Sequence, residues 1–142
     1  MGDFSLSLPP AIIADIVVSI HLLYLLFTVG GEICVILGGI LGWAWIRNMT
    51  FRIVHLIAVV FVSFEALAGM LCPLTELEYI LRRSAGQSVE EEISFIGRIV
   101  RMVLFYDFPG WFFTLLYVGF GALVALTLLL FPPERKSRDR NA

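Results

Sequence analysis

The sequence predicts an all-α integral membrane protein with three transmembrane helices, the first one long, plus amphipathic interfacial helices between the second and third. Two observations carry this expectation. Hydrophobic types make up 59% of the 142 residues and charged types 15%, where soluble domains carry roughly 25% charge. The apolar residues also come in uninterrupted blocks, giving a mean hydropathy of +0.91, and a block of about 20 such residues spans roughly 30 Å of hydrocarbon. A single membrane domain over 1–142 is expected.

The first span is placed at about 9–46. Pro9 and Pro10 suit the first turn of a helix, and the apolar run continues to Trp45-Ile46 before Arg47. This is too long for one perpendicular crossing. Asp15 near its start and Trp43 and Trp45 near its end point to a tilted helix whose ends reach both interfaces, with a break at Gly30-Gly31 as the alternative. The second span is placed at about 51–72, closed by Pro73, which cannot continue the hydrogen-bond ladder. The third, at about 108–131, has no charge from Phe108 to Pro133 and leads to a polar tail over 132–142. The apolar run that begins at Leu8 resembles an export signal, but the leader carries Asp3 and no Lys or Arg, and the run is too long. It is read as retained.

The connection between the second and third spans holds two helix-start signatures, Thr75-Glu76-Leu77-Glu78 and Ser88-Val89-Glu90-Glu91, each a hydroxyl followed three residues later by a carboxylate. They predict interfacial helices at about 75–84 and 88–106. In the second, Glu90, Glu91, Ser94, Arg98 and Arg101 share one side, while Ile93, Ile96, Val100, Val103 and Leu104 take the other. The carboxylates of 90–92 also suit the positive end of the helix dipole. A fourth spanning helix here would bury two arginines.

Three crossings put the two ends of the chain on opposite sides. Arg47, Arg52, Arg135, Lys136, Arg138 and Arg140 share one side, and Arg82, Arg83, Arg98 and Arg101 the other, with most of the acids. This bias favours a cytoplasmic C-terminus and an outside N-terminus. A net charge of −2 without a basic run leaves no electrostatic footprint for nucleic acid. Two cysteines make neither a disulfide framework nor a metal quartet.

Several landmarks resemble a family of small bacterial membrane proteins catalogued as domain of unknown function 2784. They are His21-Leu22-Leu23-Tyr24 with Phe27 and Gly30-Gly31, His55, and Cys72-Pro73-Leu74-Thr75 followed by Glu78 and Leu81-Arg82. Ser94-Phe95-Ile96 and the closing apolar span complete the pattern. The Cys-Pro-Leu-Thr-x-x-Glu element is its most specific part. The resemblance implies a mostly helical protein of the bacterial inner membrane, and it implies no particular activity.

Ionisable groups in hydrocarbon cost about 2.5 to 3.5 kcal/mol each on insertion scales, so those that persist face protein and mark function or packing. Counting 1.5 Å per residue from Ile46 and Phe51 sets Glu32 and Glu65 at one depth, roughly 21 Å along antiparallel helices. The two carboxylates are therefore expected to approach each other or a common cavity; the alternative is that each bonds singly to a backbone or subunit partner. His21, Tyr24, Thr28 and Glu32 form a polar stripe on one helix face that must be shielded from lipid. The same count brings His21 near Cys72, Thr75 and Glu76 at the outer rim. That is either a polar pocket, with Glu78 close in sequence and Glu65 below, or a hydrogen-bonded packing seam.

The histidines His21 and His55 fall roughly 30 Å apart in depth on this count, so haem is possible only with a ligand supplied by a partner. Cys72 is a nucleophile only if His21 activates it; otherwise it is a structural thiol beside Pro73. Gly30, Cys34, Gly38 and Gly42 recur every four residues as a ladder of small side chains that permits close helix approach, with a weaker version at Gly121 and Ala125. The leading expectation is a non-catalytic membrane subunit or scaffold in a larger complex, in contact with lipid and other subunits. A binder of a quinone, lipid or haem, using the outer pocket near His21, Tyr24, Cys72 and Thr75 with Glu65 below, is the alternative, and a membrane enzyme using Cys72 and His21 the third.

Overall fold

The computed structural model describes residues 8–89, 95–104 and 106–134. Among these residues the fold is built from five α-helices. Three have the length and apolarity to cross a membrane: α1 (Pro10–Leu41), α2 (Met49–Leu67) and α5 (Gly110–Leu130). Two shorter ones, α3 (Pro73–Ser84) and α4 (Phe95–Leu104), lie in the connection between α2 and α5. The 32 residues of α1 extend about 48 Å, well beyond the thickness of the hydrocarbon core.

Glycines set several helix boundaries. The break considered at Gly30-Gly31 does not occur, since both residues keep right-handed helical angles (φ −63° and −58°). Instead the helix widens into a π turn over Leu26–Gly30. Its end comes earlier than the apolar run suggests. Gly42 adopts φ 73°, and the N–H groups of Gly42 and Trp43 both donate to the Gly38 carbonyl, a left-handed stop that closes α1 at Leu41. The stretch expected to extend α1 to 46 folds back as a 3-10 turn, Ala44–Arg47, with Ile46 buried against Gly38. Asn48 then caps α2, its side-chain oxygen accepting from the N–H groups of Thr50 (2.9 Å) and Phe51 (3.3 Å). At the other end, Gly69 at φ 66° and a bond from Met70 N–H to the Glu65 carbonyl stop α2 before Pro73 is reached.

The start of α3 also differs from expectation. Thr75 was the expected cap, but the helix begins two residues earlier with Pro73, whose fixed φ and missing N–H suit a first position, so Thr75 lies inside it and Glu78 is released from capping. Of the second start signature, Glu90 and Glu91 lie outside the described residues, as does Ser94.

The chain divides into two compact units. One draws on the described residues of Met1–Tyr24 and Leu71–Pro109, combining the first part of α1 with α3 and α4. The other draws on those of Leu25–Met70 and Gly110–Ala142. In this second unit α2 and α5 pack along each other. The Ser63 hydroxyl sits between the carbonyls of Val59 (2.9 Å) and Tyr117 (3.1 Å), and Gly121 leaves it room, since a Cβ there would fall 2.7 Å from Ser63 Oγ. Beyond α5, Glu134 pairs with Arg47 through side chains and through a backbone bond of 2.9 Å.

Candidate functional site

The most unusual chemistry of the second unit is a charged cluster with almost no exposure. Arg52 and His55 lie three residues apart on α2, on one helix face, and Glu32 comes from α1. All three are 1% exposed. His55 Nε2 is 2.8 Å from the Thr28 carbonyl, which can only accept, so this nitrogen carries the hydrogen. His55 Nδ1 faces Glu32 Oε2 at 4.0 Å. Arg52 lies within electrostatic reach of Glu32, and its Nη2 donates to the Phe131 carbonyl at 3.4 Å. Among the described residues, both Glu32 oxygens and two Arg52 nitrogens, Nε and Nη1, have no hydrogen-bond partner.

Local sequence explains how the cluster assembles. Thr28 sits within the π turn, where the Gly31 N–H reaches both the Phe27 and the Thr28 carbonyls and the ladder is reorganised. Gly31 lets the imidazole approach, because a Cβ there would stand 2.8 Å from His55 Cδ2. Phe51 stacks on the His55 ring (centroids 5.8 Å, 17°) and Phe27 meets it edge-on at 5.7 Å. These two rings also help line an open groove of about 410 Å³ with Trp45, Asn48, Thr50 and Val54.

The first unit holds a second cluster. Glu78 receives hydrogen bonds from Arg82 Nε (2.8 Å) and from both terminal nitrogens of Arg98, and Arg82 also pairs with Asp15 at 3.0 Å. Burial alone would raise the Glu78 carboxyl, but the bonds and charges of the two arginines outweigh it and hold it below its ordinary value. Hydrogen bonding to Glu78 raises both arginines in turn. The Arg98 guanidinium also lies over the Tyr79 ring, 5.3 Å from its centroid.

The polar stripe of α1 is shared between the two units. His21 is buried in the first, within electrostatic reach of Glu78 and Arg98, beside half-buried Tyr24; Thr28 and Glu32 are buried in the second. Thr75 is buried in the first unit with Oγ1 unpartnered among the described residues, Cys72 precedes α3 as a half-buried thiol, and Glu76 is exposed. Glu65 is buried on α2, ten residues and about 15 Å of helix rise from His55. Glu32 is therefore level with His55, not with Glu65. A depth counted from Ile46 overshoots, because α1 ends five residues earlier, at Leu41.

Of the small-residue ladder, Gly38 packs inside the chain, Cys34 is half-buried, Gly30 borders open space and Gly42 serves as the helix stop. On α1 the glycines in close contact are Gly31, Gly38 and Gly39, the last against Phe131, and on α5 Gly121 meets Ser63. Sequence reasoning missed Arg52 as a core residue, counting it as a flanking base. Its signal was present: Arg52 and His55 share a face within an otherwise apolar helix.

A family model described as a protein of unknown function (DUF2784) matches residues 11–133. No curated protein and no solved structure gives a significant match.

Proposed function

We propose that this chain, which belongs to the DUF2784 family of proteins of unknown function, is a small non-catalytic multi-pass membrane subunit that works within a larger membrane complex. The observation that supports this reading is the direction of its side chains. The charged and imidazole groups of the spans from His21 onward turn inward, whereas the outward positions are large and apolar, among them Leu23, Ile40, Ile57, Phe64 and Leu129. An outer surface of this kind offers lipid or neighbouring helices only van der Waals packing, and small residues are where such helices come closest. Gly30 and Gly119 both border open space and fit that role. The shared end that carries Arg47 and the basic tail is assigned to the cytoplasm of a bacterial inner membrane, with the N-terminus outside. Mild-detergent purification from native membranes with mass spectrometry tests the proposal. Stoichiometric co-purification of another membrane protein is expected; a stable monomer without a partner refutes it, and a reporter fused to the C-terminus checks the orientation.

A second reading, a binder of a flat apolar molecule of the quinone or lipid class, is favoured by the aromatic groove of Phe27, Trp45 and Phe51. Haem would still need a ligand from a partner, since His55 Nε2 is engaged with the Thr28 carbonyl. Extraction of an isoprenoid quinone with the purified protein, and its loss on Val54→Trp, would promote this reading over the first.

A further inference from the structure

We propose that Glu32 and His55 form a membrane-buried proton-binding site, in which one exchangeable proton is held between His55 Nδ1 and Glu32 Oε2. The inference goes beyond the subunit role and does not depend on it. It begins with the hydrogen fixed on Nε2 by the Thr28 carbonyl at 2.8 Å. In a neutral ring Nδ1 then presents a lone pair, and 4.0 Å away it faces a carboxylate oxygen that also presents one. The two side chains are 1% and 2% exposed, and among the described residues neither Glu32 oxygen has a hydrogen-bond partner. Two facing acceptors in low dielectric are mismatched, and one proton converts them into a donor and an acceptor.

The separation of 4.0 Å is longer than a direct hydrogen bond of about 2.7–3.2 Å, so proton uptake draws the two groups together by about an ångström. The proton comes from water and returns to water, and no other bond is made or broken. Because the site is coupled, the proton belongs to the pair and not to either residue.

The surroundings set the charge balance. Arg52 on α2, within electrostatic reach of Glu32, neutralises the carboxylate when His55 is neutral, so uptake takes the cluster from zero to one net positive charge. Phe131, the residue just past α5, offers its carbonyl to Arg52, and Tyr117 is the single ionisable side chain within α5 itself, with its carbonyl beside Ser63. Of the other described ionisable groups of this unit, Cys34 is half-buried on α1, Glu65 lies ten residues further along α2, and Arg47 and Glu134 pair with each other. The π turn places the receiving carbonyl, and π segments concentrate at functional sites because they redirect one backbone group.

The test uses the full-length protein in lipid nanodiscs, with 15N-labelled histidine followed by NMR and the carboxyl C=O band followed by difference infrared spectroscopy, both titrated with pH. One transition is expected. His55 passes from the Nε2–H tautomer to the doubly protonated ring, or the carboxylic-acid band of Glu32 appears, and both Glu32→Gln and His55→Gln abolish it. Glu65→Gln leaves it in place. A His55 ring that stays neutral, with no carboxyl change across the folded pH range, overturns the proposal, because a bridging water then resolves the mismatch. A transition unchanged in Glu32→Gln, or lost in Glu65→Gln alone, also overturns it. Should His55→Gln fail to fold, Glu32→Gln decides, because a glutamine amide can donate to Nδ1 and hold the ring neutral.

Discussion

Glu78 receives both arms of the Arg98 guanidinium across twenty residues of sequence, Nη1 reaching Oε1 at 3.0 Å and Nη2 reaching Oε2. With Arg82 on the same carboxylate and Asp15 beyond it, this pairing ties α1, α3 and α4 into one unit. Bidentate pairs of this kind add geometric specificity as well as energy.

Replacing Glu78 with Gln keeps the shape and removes the charge. Because the carboxylate is 1% exposed and its partners only about a quarter exposed, the loss is expected at about 3 kcal/mol. Denaturant unfolding in mild detergent measures it. Glu76→Gln, on the exposed side of the same helix, should change stability by no more than about 0.5 kcal/mol.

The same pair predicts an acid dependence. Burial raises the Glu78 carboxyl, but the hydrogen bonds and charges of Arg98 and Arg82 outweigh it, so its folded value lies below the ordinary 4.5. The unfolded chain therefore takes up this proton first as pH falls. Its contribution to stability is complete above 4.5 and is lost as pH drops through the lower folded value. The stability difference between wild type and Glu78→Gln should hold from neutrality down to about pH 4.5 and shrink below it.

Adjacent glycines should respond oppositely to alanine. At Gly31 the added methyl collides with His55, 2.8 Å from Cδ2 and 3.0 Å from Nε2, and must push the ring away from the Thr28 carbonyl, at a cost of about 1–3 kcal/mol. Gly30 has open space and helical angles, so alanine there should be neutral or stabilising by up to about 1 kcal/mol. Thermal unfolding of both variants, with the His55 NMR signal as a local reporter, checks the contrast.

Asn48→Ala removes the side-chain acceptor for two N–H groups at the start of α2 and should cost about 1 kcal/mol. Asn48→Asp keeps the acceptor and should recover most of the loss. Unfolding of the two variants side by side tests whether the cap is what holds this turn.

The spans were legible from the sequence because a run of apolar residues is a local property, and lipid demands it of each helix separately. The burial of His21, Thr28 and Glu32 was likewise implied by their common face on α1. Ends were less legible. Gly42 and Gly69 stop their helices through left-handed angles and backbone bonds that an unbroken apolar run conceals, and a shift of five residues displaces a depth by about 7.5 Å.

That displacement is why residue spacing alone sets Glu32 opposite Glu65, while the fold sets it beside His55. By itself the sequence determined the helices, their apolarity and the need to turn the ionisable groups of the spans inward. Which carboxylate meets which base, Glu32 with His55 and Arg52, and Glu78 with Arg82 and Arg98, was decided only by tertiary structure. Such pairs depend on the register between helices, which is set by a π turn, a glycine stop and the packing of Gly31 against an imidazole ring.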